Sequence, residues 1–430
     1  MAEDRDEGAR RLSRHGDEAA GRARTIRAAL RHPRAARAPV GALVGRLPMT
    51  IGVLVIVAIV HERVGSYALA GLASAAYGLA MAAGHPWLGR LADRGHGARV
   101  LVGGALACAA GWCALALCTS AAVPPWTAIA AAAVTGASYP PLSPAMRARW
   151  PQLVVPQALE RAYAVETTVQ EVAFVTGPLL LTLLLVVSTP AAAALACGVL
   201  VVAGAALFAS AGAPAAARLG RESEASRAAS ASASRARLDG RAGRPLADAG
   251  VRALVATRGV CLVGLGGALV CIPAFALAHG APALTGLIVA CWSVGSLAGA
   301  GLYALRRWRM PLAHRYAMFL CLGSLPMAAL ALAPNIGAFA LMAALSGVGL
   351  APWVAAGDAL VQRLAPPQAI TEAFTWTVSI GLLGEALGAG LAGVLLDRAG
   401  VAPTLAACGA AALLASLLAL ATNRLLRPAG

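Results

Sequence analysis

The feature that most constrains this chain is a succession of apolar runs, each about 20 residues long, separated by short polar or basic segments. A helix of that length crosses the roughly 30 Å hydrocarbon core of a bilayer. Backbone polar groups cannot stay unpaired in hydrocarbon, and the runs lack the alternation of apolar and polar residues that barrel strands show. We therefore predict an all-α integral membrane protein with twelve transmembrane helices. The runs cover 40–60, 67–88, 100–119, 126–145, 162–187, 190–210, 258–278, 284–305, 316–333, 336–356, 371–396 and 401–422.

The composition supports this class and argues against a soluble enzyme. Hydrophobic residues make up 59 % of the chain and charged residues 13 %, whereas soluble domains are roughly 45–50 % apolar and about 25 % charged. The net charge of +16 would suit a nucleic-acid-binding surface. Nearly all of the basic residues lie outside the apolar runs, in loops or tails. We therefore expect a lipid bilayer around the chain and no nucleic-acid partner. The nine cysteines form no Cys-x-x-Cys pair, and we expect no metal site.

The basic residues, all of them arginines, are distributed unequally between the two sides that alternate along the chain. All but three of the 35 fall in the tails or in loops on one side; Arg63 and Arg398 fall on the other, and Arg46 lies inside the first run. Positive charge marks the cytoplasmic side. We therefore predict a multi-pass protein of the bacterial inner (cell) membrane with both termini in the cytoplasm. Arg46 is expected to snorkel to the nearby interface, and pairing with Glu166 or Asp358 is the alternative.

The two parts of the chain repeat each other. A shift of 211 residues places Gly136 on Gly347, Pro141 on Pro352 and Gly177 on Gly388. Internal repeats of this kind are typical of transporters, in which the substrate site lies between the halves. We predict two six-helix bundles related by pseudo-twofold symmetry and joined by a flexible polar linker. The predicted parts are a cytoplasmic basic tail (1–39), the N-terminal bundle (40–210), a cytoplasmic linker (211–257), the C-terminal bundle (258–422) and a cytoplasmic tail (423–430).

A short motif follows the second run. It reads Gly-Arg-Leu-Ala-Asp-Arg-Gly-His-Gly-Ala-Arg from Gly89 to Arg99 and resembles the cytoplasmic signature of the major facilitator superfamily. The whole chain resembles drug-efflux-type members of that superfamily from actinobacteria. The resemblance implies a cytoplasmic gate motif of Gly89, Asp93, Arg94 and Arg99. In this motif Asp93 contacts the start of the eleventh helix when the cytoplasmic side is closed. The resemblance also implies an antiporter-like motif, whose matching residues are Gly177 and Pro178.

Two acids lie deep within apolar runs. Glu171 lies about 16 Å into the fifth run and Glu385 about 20 Å into the eleventh. An ionised carboxylate at that depth must become protonated, be paired or contact water, and such acids commonly serve transport. We predict that one of them carries a proton, and we favour Glu171 because Thr167 and Gln170 extend its polar surface whereas glycines flank Glu385. A protonated acid hydrogen-bonded within a helix contact is the alternative for each.

These features predict a secondary active transporter rather than an enzyme. The preferred function is proton-coupled export of a small lipophilic or cationic compound by alternating access, by a monomer that needs no cofactor. An uptake permease for a small metabolite is the alternative within transport. A polytopic membrane enzyme is the alternative from another class, and it would need clustered acids or histidines at an interface. The neighbourhood of Asp93 and His96 comes closest to such a cluster but lacks a second acid.

Overall fold

The computed structural model describes residues 33–91, 97–120, 123–153, 159–211, 245–306, 308–365 and 370–426. Every regular element in these ranges is helical, which confirms the predicted all-α class. Three short 3-10 helices, Pro245–Ala247, Pro282–Leu284 and Leu330–Leu332, accompany the α-helices. The α-helices are α1 (Pro33–Val64), α2 (Tyr67–Leu91), α3 (Gly97–Leu117), α4 (Thr127–Ala137), α5 (Leu142–Leu153), α6 (Leu159–Val187), α7 (Pro190–Ser210), α8 (Ala249–Ala278), α9 (Thr285–Leu305), α10 (Leu312–Ala329), α11 (Ile336–Leu364), α12 (Ile370–Ala399) and α13 (Val401–Ala421).

Within the described ranges, ten helices are long and apolar enough to cross a membrane. These ten confirm a multi-pass membrane protein. The two predicted spans that are not among them are the fourth, which is divided between α4 and α5, and the fifth, which is α6. In the described part of α6, the apolar stretch Val172–Val187 is shorter than the ten that are long enough. The total of twelve spans therefore stays a prediction.

Several helices begin before the apolar runs that predicted them. Helix α1 begins at Pro33, and α8 begins at Ala249. The carboxylate of Asp248 accepts a hydrogen bond from the N–H of Val251 at 2.9 Å, which caps α8 at a polar residue. Hydropathy marks where a helix enters hydrocarbon, whereas a helix starts where its first N–H groups find an acceptor. As a consequence Arg258 lies inside α8 and not at the edge of a linker.

The fourth predicted span is broken near its middle. Helix α4 ends at Ala137 and α5 begins at Leu142, so the continuous helix predicted over 126–145 is wrong. Pro140 and Pro141 lie in the break, and neither has an N–H to continue a helix, while each proline also disfavours the α conformation of the residue before it. The hydroxyl of Tyr139 in the break donates a hydrogen bond to the carbonyl of Gly45 in α1 at 2.6 Å.

The helices pack in two sets, the N set (α1–α7) and the C set (α8–α13). In the N set α1 packs on α7, α2 on α4, and α3 on both α4 and α7; in the C set α8 packs on α12 and α13, and α11 on α9 and α10. The repeated glycines make equivalent contacts. Gly136 faces the carbonyl of Tyr77 on α2, and Gly347 faces that of Trp292 on α9. The sequence repeat is therefore also a repeat of helix packing.

The two ends of the bundle differ in how the sets meet. We call the end where α1 passes to α2 the Gly65 end, and the opposite end, where α3 begins, the Arg99 end. At the Gly65 end buried residues of both sets form one core, which includes Ile56, Tyr77, Ile272 and Leu396. Toward the Arg99 end each set has its own core among the described residues. Among the described residues the two sets thus share one core at the Gly65 end and have separate cores toward the Arg99 end.

Candidate functional site

The contact between α2 and α12 is the most extensive junction of the two sets. Gly71 of α2 lies against the backbone of α12, where an added Cβ would collide with the carbonyl oxygen of Ala389 and the Cα of Gly393. Gly393 in turn lies against the carbonyl of Tyr67. Small residues on both helices allow the backbones to touch, which is how helices associate closely in lipid. This junction closes the Gly65 end.

An acid of the C set caps a helix of the N set at the same junction. The carboxylate of Asp397, near the end of α12, accepts hydrogen bonds from the N–H of Tyr67 at 2.7 Å, the N–H of Ala68 at 2.9 Å and the hydroxyl of Ser66 at 2.8 Å. Ser66 also accepts from the N–H of Leu69 at 3.2 Å. The first turn of α2 contains no acid of its own. Asp397 therefore supplies the negative charge that a helix N-terminus favours.

The second junction lies between α6 and α9. An added Cβ at Gly286 would collide with the carbonyl oxygen of Pro178, and the hydroxyl of Thr182 donates to that same carbonyl at 3.2 Å. Gly177, the neighbouring residue, faces Thr50 of α1 instead. The antiporter-like pair Gly177–Pro178 thus lies where α6 contacts α1 on one side and the C set on the other. Its predicted role in antiport remains a prediction.

Glu385 lies at the inner end of the α2–α12 junction. At about 1.5 Å per residue it is roughly 21 Å along α12 from the Gly65 end. Gly384 and Gly388 on either side of it pack against the backbone of α8, as their spacing predicts. The Tyr77 hydroxyl lies within electrostatic range of Glu385 and has no hydrogen-bond partner among the described residues. An acid of the C set and a buried phenol of the N set therefore lie near each other at this junction, without a recorded hydrogen bond between them.

The other predicted cavity residues are less well described. Glu171 and Thr167 lie in α6, but their side chains lie outside the described part of the chain. The side chain of Gln170 is half-buried. In the gate motif Gly89 lies near the end of α2 and Arg99 is exposed in the first turn of α3, whereas Asp93 and Arg94 lie outside the described residues. Their assigned roles stay predictions.

Two arginines, Arg46 and Arg258, lie in places that differ from their predicted positions. Arg46 does not snorkel to the surface: its side chain is only 3 % exposed, because α1 extends well beyond it toward the Arg99 end. Arg258 of α8 forms an ion pair with Asp358 of α11, with 3.0 Å between Nη1 and Oδ1. Asp358 is more exposed than Arg258, 43 % against 16 % of the side chain. Partners 100 residues apart give no local sequence signal, although an arginine within a helix-forming segment is itself a hint.

We find no group of metal-ligating side chains in the ranges that the structure describes. The polar residues described above are acids, arginines, tyrosines and hydroxyls. Such a set can bind ions and small molecules and can exchange protons with water. These properties, with a close junction at one end and separate cores at the other, define a membrane transporter fold.

Comparison with known proteins agrees with this class. The family model described as Major Facilitator Superfamily matches residues 41–368. The chain therefore belongs to the major facilitator superfamily. No curated protein sequence matches it significantly.

Several solved structures share the fold. A bacterial homologue of the human lysosomal transporter Spinster, inward-facing and unoccupied, aligns with a TM-score of 0.66 at 14 % identity over 91 % of this chain and 97 % of that one. A mutant peptide transporter POT in complex with sulfate gives 0.69 at 15 % identity, over 91 % and 94 %. The human organic anion transporter MFSD10 (TETRAN) gives 0.58 at 14 % identity, over 89 % and 98 %. At these identities the likeness establishes the fold and not the substrate.

Proposed function

We propose that this protein exports a small lipophilic or cationic compound in exchange for protons, as a drug-efflux-type member of its superfamily. The observation that carries the proposal is the α2–α12 junction, where Glu385 of the C set lies near the Tyr77 hydroxyl of the N set, and that hydroxyl has no hydrogen-bond partner among the described residues. A group in that position changes its surroundings when the sets move relative to each other. It is therefore suited to bind a proton in one state and release it in the other.

The predicted topology decides which end of the bundle faces the cytoplasm. With the arginine-rich side in the cytoplasm, the Arg99 end faces the cytoplasm and the Gly65 end faces the periplasm. The described residues then form a conformation that is closed on the periplasmic side and has separate cores on the cytoplasmic side. Helix α6, together with the α4–α5 pair, completes twelve crossings in this proposal, six in each of two bundles. We propose that the protein lies in the bacterial inner membrane as a monomer with both termini in the cytoplasm.

The substrate class rests on the polar groups near the Arg99 end. In the Arg258–Asp358 pair the acid is the more exposed partner. At membrane depth an exposed carboxylate needs water or a cation beside it. A cationic compound that enters from the cytoplasm would meet this acid first and Glu385 deeper in. Much of the remaining interior is apolar, which favours a lipophilic body.

Transport in proteoliposomes tests the proton step. The purified full chain is reconstituted, a pH gradient is imposed, and proton movement is recorded while a panel of lipophilic cations is added. We expect Glu385→Gln to abolish substrate-induced proton movement, because an amide fills the same volume but cannot release a proton. Glu62→Gln is the matched control, since Glu62 is exposed at the end of α1. We expect it to behave as the wild type.

Glu171→Gln separates the two candidate acids. Loss of coupling in that variant alone would assign the proton to Glu171, which the sequence favours. Wild-type coupling in both variants would remove the basis for proton antiport. Accumulation of a compound by everted vesicles distinguishes export from uptake by its direction. Turnover of a labelled lipid without movement of any compound would favour the membrane-enzyme alternative.

Reporter fusions test the orientation. Fusions after Ser66, Pro124 and Gly280 are expected to report the periplasm, and fusions at Ser230 and Gly430 the cytoplasm. A periplasmic signal from Ser230 would contradict the twelve-span arrangement, because the two halves would then no longer have equal orientation.

A further inference from the structure

A groove on the outer surface of the C set lies at the Arg99 end, apart from the junctions between the sets. Its volume is about 460 Å³, which is within the usual range for small-molecule sites. The apolar part of its wall comes from α9, α10 and α11. The residues that line it are Gly299, Leu302, Tyr303, Leu305, Arg306, Trp308, Phe319, Leu322 and Val348.

The leucines of this groove are exposed. Leu302 is 63 % exposed, Leu305 87 % and Leu322 43 %. They lie on membrane-spanning helices, so the medium that they contact is the acyl region of the bilayer. A groove with such walls suits a hydrocarbon chain. This apolar surface is the first of two independent features.

The second feature is a run of arginines in and after the segment that follows α9, of which Arg306 lines the groove. Arg306, Arg307, Arg309 and Arg315 lie within ten residues, and the sequence contains no acid between Asp248 and Asp358. Arg306 and Arg309 are exposed. The structure gives neither of them a hydrogen-bond acceptor among the described residues, and Arg307 lies outside those residues. A guanidinium with free donors at a membrane surface suits a phosphate group.

Aromatic rings contact two of these arginines, Arg306 and Arg315, beside the groove. Trp308 donates to the carbonyl of Tyr303 at 2.9 Å, and the two rings stack with centroids 5.6 Å apart. The guanidinium of Arg306 lies over the Trp308 ring, 5.0 Å from its centroid. Arg315 donates to the Tyr303 hydroxyl at 3.1 Å. Phe319 meets both rings edge-on. The described residues of the turn between α9 and α10 are therefore held in place by ring contacts and hydrogen bonds.

We propose that this groove binds an anionic phospholipid of the adjacent leaflet. The phosphate contacts Arg306 and Arg309, and one acyl chain lies along Leu302, Leu305 and Leu322. Anionic headgroups bind basic pockets between membrane helices in this manner. Because the groove lies on α9, whose other end forms the α6–α9 junction, the lipid is placed on an element that must move during transport.

Native mass spectrometry of the full chain tests the proposal. The protein is taken from nanodiscs of phosphatidylcholine with a minor fraction of phosphatidylglycerol, and the retained lipids are counted. We expect the wild type to retain one phosphatidylglycerol in preference to phosphatidylcholine. Arg306→Gln combined with Arg309→Gln is expected to retain it roughly thirty-fold less, because each arginine near an anionic surface contributes about fivefold. Arg306→Lys with Arg309→Lys, which keeps the charge, should retain most of the preference.

Two controls make the result specific. Arg363→Gln removes one exposed charge at the same end, and we expect no change in the retained lipid. A loss of about fivefold in this variant, the amount expected for any one arginine near an anionic surface, would indicate only general attraction and overturn the site. Displacement of the lipid by millimolar inorganic phosphate or glycerol phosphate would assign the site to a soluble anion instead. Retention of the two lipids by the wild type in the same proportion as in the nanodisc would also overturn the proposal.

Discussion

The two ends of the bundle differ in how the N set and the C set pack against each other. At the Gly65 end one core spans both sets, and glycines bring α2 and α12 into backbone contact. At the Arg99 end the described residues of each set pack among themselves. The first end is held by contacts between the sets, and the second leaves polar groups such as Asp358 accessible.

The difference shows what each kind of contact can do in a transporter. Glycine contacts depend on shape alone and act only when the helices touch. The Asp397 bonds are electrostatic and lie at an exposed position, so they add modest energy but can break and form in water. At the Gly65 end the glycine contacts hold the two sets together, and the hydrogen bonds of Asp397 change the stability of that contact by a modest amount. The resemblance implies the same device at the other end, with Asp93 at the start of α12.

The labelling rate of a single introduced cysteine measures how often the Gly65 end opens. Ala75 of α2 is buried beside Gly390 at the junction of the sets. A cysteine placed there reacts with a membrane-impermeant maleimide from the Gly65 side only when that end opens. Its labelling rate therefore follows the population of the open form, after subtraction of the reaction of the native cysteines.

The largest expected effect comes from Gly393→Leu. Its side chain has no space against the carbonyl of Tyr67, and overpacking of this kind costs about 1–3 kcal/mol. We expect labelling of Ala75→Cys to rise roughly 5- to 150-fold and transport to fall correspondingly. Gly103→Leu is the matched control, because nothing lies within 4 Å of an added Cβ there. Unchanged labelling in Gly393→Leu would mean that the α2–α12 contact does not close this end.

Gly286→Leu tests the second junction. An added side chain collides with the carbonyl of Pro178, so labelling should again rise, but less than for Gly393→Leu because the α6–α9 junction is less extensive. Labelling of the same Ala75→Cys background is the measurement. A larger rise than that of Gly393→Leu would reverse the assigned order of the two junctions.

Asp397→Asn tests the charge at the helix N-terminus. It removes an interaction that is usually worth about 0.3–1 kcal/mol at exposed sites, and we expect labelling to rise roughly two- to fivefold. Asp248→Asn is the control, because Asp248 caps α8 within one set. That variant should lose some thermal stability without a change in labelling. If both variants change labelling equally, the effect of Asp397 is on folding and not on the gate.

Asp93→Asn should act in the opposite direction at the other end. If Asp93 caps α12 when the cytoplasmic side is closed, its loss favours the described conformation. We expect labelling to fall about twofold and turnover to be impaired with little loss of expression. In the double variant with Asp397→Asn the two shifts should largely cancel. Wild-type transport by a well-expressed Asp93→Asn protein would show that Asp93 is an ordinary loop acid without a role in the gate.

Ser66→Ala has the smallest expected effect. Its hydroxyl donates one of the three bonds to Asp397, and the two N–H donors of α2 remain. We expect a change in labelling of less than about twofold, since an exposed hydrogen bond contributes little. A change as large as that of Asp397→Asn would indicate that Ser66 and not the helix N-terminus is the principal partner.

Part of the site could be predicted from the sequence, and part could not. The depth of Glu385 and the close packing of Gly384 and Gly388 follow from helical spacing alone. The role of Asp397 was missed because it follows an apolar run beside Arg398 and looks like an ordinary loop acid. The signal that was present is the Gly65–Ser66 turn, which starts a helix without an acid in its first turn. Only the fold shows that Asp397 lies above it.

The sequence repeat likewise did not predict every feature of the fold. Pro141 and Pro352 are equivalent by sequence, but α11 continues through Pro352 whereas α4 and α5 are separated. The N set has a second proline, Pro140, where the C set has Ala351. One missing N–H can be tolerated within a helix, and two in succession interrupt it. Hydropathy is almost blind to this difference, since both segments are apolar.

The sequence by itself determined that the chain is helical and embedded in a membrane, because hydrocarbon admits no unpaired backbone and helices satisfy their own hydrogen bonds locally. The repeated glycines likewise determined which helices can pack closely. The tertiary structure alone decided which end is closed and which charges meet. The contacts of Asp397 with α2 and of Arg258 with Asp358 join residues far apart in the chain. The first depends on how the two sets are placed against each other and the second on how α8 and α11 pack within the C set, and local sequence carries no record of either placement.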